Sequence, residues 1–290
     1  MLNGVLAIDK PVGPTSHDAV SAVRRALRTR EVGHTGTLDP FASGLLLICV
    51  GKATRLAEYL TAMPKRYVAT LRLGAATDTD DLTGEVVSSS DAWRDVTEDA
   101  IREALARQVG TIQQVPPAYS AKKVDGERMY AVARRGGEVE RKPVTVTIHS
   151  IDVTGVRLPD VEFAVECGSG TYIRAIARDV GEALGVGGHL TALRRTHVGA
   201  HDVARAVTFD RLGDEDAVAA ATITPAEAVS HLASTVIPDD QRAALANGRA
   251  LPVYGDVPVG EPIAMLAESG ELLAIGERAG DLLKPRKVFA

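Results

Sequence analysis

Gly33-His34-Thr35-Gly36-Thr37-Leu38-Asp39-Pro40 leads, through Phe41-Ala42-Ser43-Gly44, into Leu45-Leu46-Leu47-Ile48-Cys49-Val50. The closing apolar run has the length of a strand and falls far short of a bilayer crossing, so it reads as a buried core strand. The segment 32–44 ahead of it reads as a long loop, because Gly33, Gly36, Pro40 and Gly44 punctuate it. Asp39, held between a leucine and a proline just before a core strand, has two readings. Local spacing favours an Asx-type turn, with the carboxylate bonding its neighbouring backbone. The alternative is a carboxylate presented for chemistry, and only the rest of the chain can decide between them.

Upstream, Gly4 to Asp9 reads as a strand, and Thr15 or Ser16 caps a helix that turns Ala19, Val20, Val23 and Leu27 inward. Downstream, Tyr67 to Leu73 alternates with period two before Gly74 and the acidic stretch Asp78 to Asp81. Thr97-Glu98-Asp99 opens a helix through Val109, and Val115-Pro116-Pro117 ends regular structure. An insertion over about 115–143 follows, carrying Lys122, Lys123, Arg128, Arg134, Arg135, Arg141 and Lys142. Strand signals return at Val144 to Ile148 and Val161 to Cys167, and Gly168-Ser169-Gly170 leads into a helix from Thr171 to Leu184. Thr224-Pro225-Ala226-Glu227 is a capping box with proline at the first helical position. A boundary is expected near Ala233, giving units 1–233 and 234–290, the second a β-rich appendage with a hairpin around Glu268-Ser269-Gly270. Strands interleaved with helices, without regular βαβ alternation, predict an α+β fold with a mixed, largely antiparallel sheet.

At 290 residues and 45% hydrophobic, the chain can bury one sizeable core and a small second one. The N-terminus carries no export-signal pattern, so a cytoplasmic protein is expected. Cys49 and Cys167 lie in separate apolar segments and read as buried thiols. A formal net charge of -5 argues against nucleic-acid binding by bulk positive charge, so any RNA site must be local. The sequence has no Gly-Lys-Ser/Thr phosphate loop, His-Glu-x-x-His, paired Cys-x-x-Cys or Gly-x-Ser-x-Gly elbow, which removes support for nucleotide hydrolysis, zinc and serine chemistry.

Several segments, taken in order, resemble one family. They are Gly4-Val5-Leu6-Ala7-Ile8-Asp9-Lys10-Pro11, the Asp39 loop, Lys65-Arg66-Tyr67, Thr77-Asp78-Thr79-Asp80-Asp81, Pro116-Pro117-Ala118-Tyr119-Ser120-Ala121-Lys122-Lys123, Gly168-Ser169-Gly170-Thr171-Tyr172-Ile173-Arg174 and Gly188-His189-Leu190-Thr191-Ala192-Leu193-Arg194-Arg195-Thr196. Together they resemble the bacterial tRNA uridine-55 pseudouridine synthases, the TruB family. The resemblance implies a pseudouridine synthase domain with a small PUA-like C-terminal domain, either a stabilising cap or a contact to the acceptor stem. It implies isomerisation of a T-arm uridine, without redox cofactor or metal. Asp39 would be the nucleophile, at C1′ or at C6, with Arg174 orienting it and lowering its pKa. Tyr67 would stack on the flipped base and take a proton, with Tyr172 and Leu193 lining the pocket. His34, Asp81, Lys10, Lys122 and Lys123 would contact RNA, the insertion acting as a clamp on phosphates. A stand-alone enzyme is implied, with tRNA as partner and no guide RNA or obligate protein, and a monomer is expected. The alternatives are the related guide-RNA-dependent synthases and a chaperone for tRNA folding.

Overall fold

A computed structural model describes residues 2–119, 123–124, 127–128 and 141–289. The fold is α+β, built on a mixed and largely antiparallel sheet of eleven strands. In chain order its first elements are β1 (Gly4–Lys10), α1 (Ser16–Ala26), β2 (Val32–His34), β3 (Ser43–Val50), α2 (Ala57–Ala62) and β4 (Lys65–Leu73). There follow a small hairpin of β5 (Ala75–Thr77) and β6 (Val86–Ser89), then α3 (Glu98–Ala106) and β7 (Gly110–Gln114). After the two-residue strands β8 (Lys123–Val124) and β9 (Glu127–Arg128) come β10 (Val144–Arg157), β11 (Asp160–Cys167), α4 (Ile173–Ala183) and β12 (Gly188–Val198). The sheet runs β1, β3, β12, β4, β11, β10, β7, with β12 parallel to β3 and antiparallel to β4.

The unbroken apolar run of β3 has a direct cause. Leu46, Ile48 and Val50 enter one core cluster, whereas Leu45, Leu47 and Cys49 enter another on the opposite face. β1 divides in the same way, with Leu6 and Ile8 on one side and Val5 and Ala7 on the other. Both strands are therefore covered on both faces, so polar alternation is absent. The first face is covered by α1, α3 and α4 through residues such as Val20, Ile101 and Ile176. The second meets α2 and the C-terminal unit, whose Ala264, Leu272, Ile275 and Phe289 belong to the same cluster.

That C-terminal unit is a five-stranded sheet beginning at Ala233–Val236, with its own core around Ile237, Leu245, Met265, Leu273 and Leu283. Its last residues are also tied by polar contacts to the segment before α2 and to the first turn of α2. Lys52 Nζ donates to the Phe289 carbonyl at 2.8 Å, Lys287 Nζ donates to the Arg55 carbonyl at 2.6 Å, and Lys287 pairs with Glu58.

Two elements differ from the sequence reading, α3 ending at Ala106 rather than Val109 and the 32–44 segment, and one strand, Gly188–Val198, has no counterpart in it. The 32–44 segment is not all loop, because Val32–His34 pairs antiparallel with β3. Gly188–Val198 is a strand at the centre of the sheet although its pattern does not alternate. Register shifts at Leu190/Ala192 and Arg195/His197 interrupt the period. The cap of α1 is resolved as Thr15, which forms a reciprocal capping box with Asp18, and the predicted box at Thr224 and Glu227 is present as well. Cys49 and Cys167 are free and buried, and burial pushes their thiols up to about 12 and about 11.

Candidate active site

The loop between β2 and β3 is anchored from several sides. Ser16, at the start of α1, donates its hydroxyl to Leu38 O at 3.0 Å and accepts from Leu38 N at 2.8 Å. Gly13 N donates to Pro40 O at 2.8 Å, and Ala42 N closes a turn on Asp39 O at 3.1 Å. The Asx turn expected from local spacing is therefore not what fixes Asp39. The turn is made by its backbone carbonyl, and its carboxylate is left to face another partner.

That partner is Arg174, in the first turn of α4, whose Nε lies 3.0 Å from Asp39 Oδ2. Arg174 is itself buried and held in place. Its Nη1 donates to Thr79 O at 2.7 Å and lies 3.4 Å from Asp81 Oδ2, and its Nη2 donates to Tyr119 O at 2.9 Å. Tyr172, capping α4, is fixed through its backbone by Gln114, which accepts from Tyr172 N at 2.8 Å and donates to Tyr172 O at 3.1 Å. The guanidinium is thus oriented before any ligand arrives.

Asp39 lies in a cavity of about 460 Å³, lined also by Tyr67, Tyr172, Leu193, Lys65 and Arg195. A cavity of that size accepts one nucleotide. A third of the Asp39 side chain still meets solvent, yet the surrounding protein removes enough water to push its carboxyl above the ordinary carboxylate range. Arg174, and more weakly Lys10, oppose this rise, whereas Asp81 adds to it. The expected pull of Arg174 is present, but burial exceeds it. Tyr67, on β4, is likewise pushed up by burial, with Arg195 pulling it back down.

Of the residues singled out in the sequence, the cavity brings together Asp39, Tyr67, Arg174, Tyr172 and Leu193. Lys10 lies behind the loop, fully buried, donating to Pro11 O and Pro14 O at 2.8 Å each, and burial lowers its ammonium to about 8. Asp81 is not a solvated turn residue. It is 3% exposed, faces Arg174, and accepts from Thr79 and from Thr83. His34 sits on β2 opposite Ile48 and is not among the residues lining the cavity. Lys122 lies outside the described residues, as do Arg134 and Arg135, whereas Lys123 and Arg128 are described only as backbone in a paired hairpin. Arg141 and Lys142 are exposed.

Sequence reasoning missed Lys65 and Arg195 in the cavity wall. Lys65 Nζ donates to Thr61 O and Met63 O, and burial lowers it to about 8. For Arg195 a signal exists only once the segment 188–198 is known to be a strand, which its pattern does not reveal. In a strand, adjacent arginines at 194 and 195 must face opposite sides of the sheet, so one of them points inward.

The mixed sheet carrying this ion-paired cavity is the pseudouridine synthase fold, shared with solved structures. A chain in the solved structure of an H/ACA RNP bound to a substrate RNA containing 2′-deoxyuridine superimposes with a TM-score of 0.76 at 28% identity, covering 99% of this chain and 85% of that one. The family model described as TruB family pseudouridylate synthase (N terminal domain) matches residues 24–173, and that of the tRNA pseudouridylate synthase B C-terminal domain matches 174–241. A tRNA pseudouridine synthase B of Arthrobacter sp. (strain FB24) is 48% identical over 301 residues, covering all of this chain and 97% of its own length. One of Cutibacterium acnes (strain DSM 16379 / KPA171202) is 48% identical over 278 residues, covering 94% of this chain and 92% of its own length. The chain belongs to the TruB family of pseudouridylate synthases.

Proposed function

We propose that this chain acts alone, as a cytoplasmic monomer, to convert the T-loop uridine at position 55 of tRNA to pseudouridine, with Asp39 as covalent nucleophile. The observation that carries the reading is the 3.0 Å pair of Arg174 and Asp39, in a cavity walled by Tyr67, Tyr172 and Leu193. The target base, flipped from the arm, stacks on Tyr67. The N1–C1′ bond breaks, the freed uracil turns within the cavity, and C5 joins C1′. The hydrogen on C5 then leaves as a proton, its electron pair restoring the ring double bond, and N1 ends protonated. Asp39 splits the exchange into two steps by bonding covalently, either to C1′ or to C6, and is released at the end. Arg174 opposes the desolvation that disfavours the charged carboxylate, and Asp81 holds Arg174 from behind. Tyr67 takes the C5 proton.

The basic insertion grips phosphates of the arm, with the exposed Arg141 and Lys142 at its C-terminal end. The unit 1–233 carries the reaction, and 234–290 supports it as a PUA-like domain. Among the described residues no helix is long and apolar enough to cross a membrane. A T-arm hairpin tritiated at uracil C5 tests the reading directly, with purified protein alone. Wild type is expected to release tritium over many turnovers, and Asp39→Asn to bind without release. Binding without release by the wild type would move a guide-dependent or chaperone role to the front, the former favoured by likeness to a chain of an H/ACA RNP.

A further inference from the structure

Arg195 is 1% exposed and touches both halves of the site. Its position on β12 has Gly44 of β3 as one Cα partner and Tyr67 of β4 as the other. From there the side chain donates through Nε to Leu45 O at 2.7 Å and through Nη2 to Gly36 O at 3.1 Å, and it lines the same cavity as Tyr67, its Cα partner on β4. Gly36 and Leu45 bracket the segment that carries Asp39, so one planar group ties both ends of that loop to the strand beside the tyrosine. Gly44 shows how closely the strands meet. With φ +106, a Cβ there would lie 2.2 Å from Arg195 O.

A guanidinium offers five donors in a fixed fork, which suits it to two carbonyls at once while its charge stays beside the phenol, whereas an ammonium has no such plane. Among the described residues no ion pair gives Arg195 a carboxylate. A buried cation without a counter-charge is unfavourable, and a neutral amide could tie two carbonyls without that penalty. The charge therefore has a use beyond tying the backbone. We propose that Arg195 is a positioning residue for the isomerisation, holding the Asp39 loop and the Tyr67 hydroxyl in one frame so that carboxylate and phenol address the same flipped base. The electrostatics agree with the geometry, since burial makes the phenol harder to ionise and Arg195 offsets this. The inference rests on the reading that Tyr67 accepts the proton leaving C5.

The test compares Arg195→Gln and Arg195→Lys with Tyr67→Phe, using tritium release from the hairpin, its pH profile, and the ultraviolet titration of tyrosinate taken as a difference from Tyr67→Phe. An ångström-scale misplacement is worth roughly 100-fold in rate, so Arg195→Gln is expected to lower kcat by about that factor with KM changed less than about threefold. Arg195→Lys should recover part of the loss, and Tyr67 should titrate at higher pH in Arg195→Gln than in wild type. If Arg195→Gln does not fold, the lysine variant, which keeps the charge and loses the fork, carries the comparison through a reduced kcat and a displaced pH profile. A slow Tyr67→Phe beside an Arg195 variant of wild-type kcat would overturn the proposal while leaving the tyrosine reading intact. So would a slow Arg195 variant whose Tyr67 titration and pH profile are unmoved, since that marks a purely structural role. A Tyr67→Phe enzyme of wild-type rate removes the tyrosine reading, and the proposal with it.

Discussion

Replacing Arg174 with methionine keeps the bulk and helix propensity of the side chain and removes only the guanidinium. Four interactions go with it, to Asp39, to Asp81 and to the carbonyls of Thr79 and Tyr119. Removing one partner of a buried pair typically costs about 3–5 kcal/mol, because the other charge stays behind. Asp81, 3% exposed, meets that condition, whereas a third of the Asp39 side chain reaches solvent and its share is discounted. A loss of about 3 kcal/mol at pH 8 follows. The pH dependence has a definite sign. Asp39 already sits above the ordinary carboxylate range, and without Arg174 it rises further. The native state then holds that proton more tightly than the unfolded chain, so stability falls as pH climbs from the ordinary carboxylate value through the folded one. Urea unfolding at pH 5 and pH 8 should therefore show the variant closer to wild type at pH 5. The acid limb of tritium release should move to higher pH, and adding Asp39→Asn should restore part of the lost stability. A variant as stable as wild type at pH 8, with an unmoved acid limb, would refute the electrostatic account of the site.

Asp39→Asn alone removes a carboxylate that burial disfavours, so it is expected to abolish turnover while leaving the urea midpoint unchanged or slightly raised. Gly44→Ala places a methyl against Arg195 O at a positive φ, and calorimetry should find it destabilised by about 2 kcal/mol or more. Leu47→Ala opens a cavity in the core shared with the C-terminal unit and should cost about 2–5 kcal/mol in denaturant titration. Burial lowers the Lys65 ammonium from 10.5 to about 8, so in that interval the unfolded chain binds more protons than the native one and stability rises with pH. Relative to Lys65→Met, wild type should gain up to about 3 kcal/mol between pH 7.5 and pH 10.5, and a flat difference would contradict the assignment.

The strands buried on both faces were legible because nothing polar interrupts them, and the helix starts at Thr15 and Thr224 because capping chemistry is local. β12 was not legible as a strand, since two register shifts break its period, and it is the strand that places Leu193 and Arg195 in the cavity. Asp81 and Lys10 show the same limit for side chains. An acidic run reads as solvated and a lysine as exposed, yet both are buried by partners distant in the chain or folded back upon it. The meeting of Asp39 with Arg174 joins residues far apart in sequence, and only the resemblance anticipated it. No local rule could have done so.

β3 is the common wall of two cores, and this limits what can be cut away from the protein. Its Leu45, Leu47 and Cys49 share a core with Ile275 and Phe289, so a chain ending before 234 would strip part of the cover from the core behind the strand that follows the Asp39 loop. A truncated enzyme that lost activity would then report a deformed loop as readily as a missing RNA contact. Dissecting the C-terminal unit calls for substitutions on its outward face, with Ile275 and Phe289 left in place.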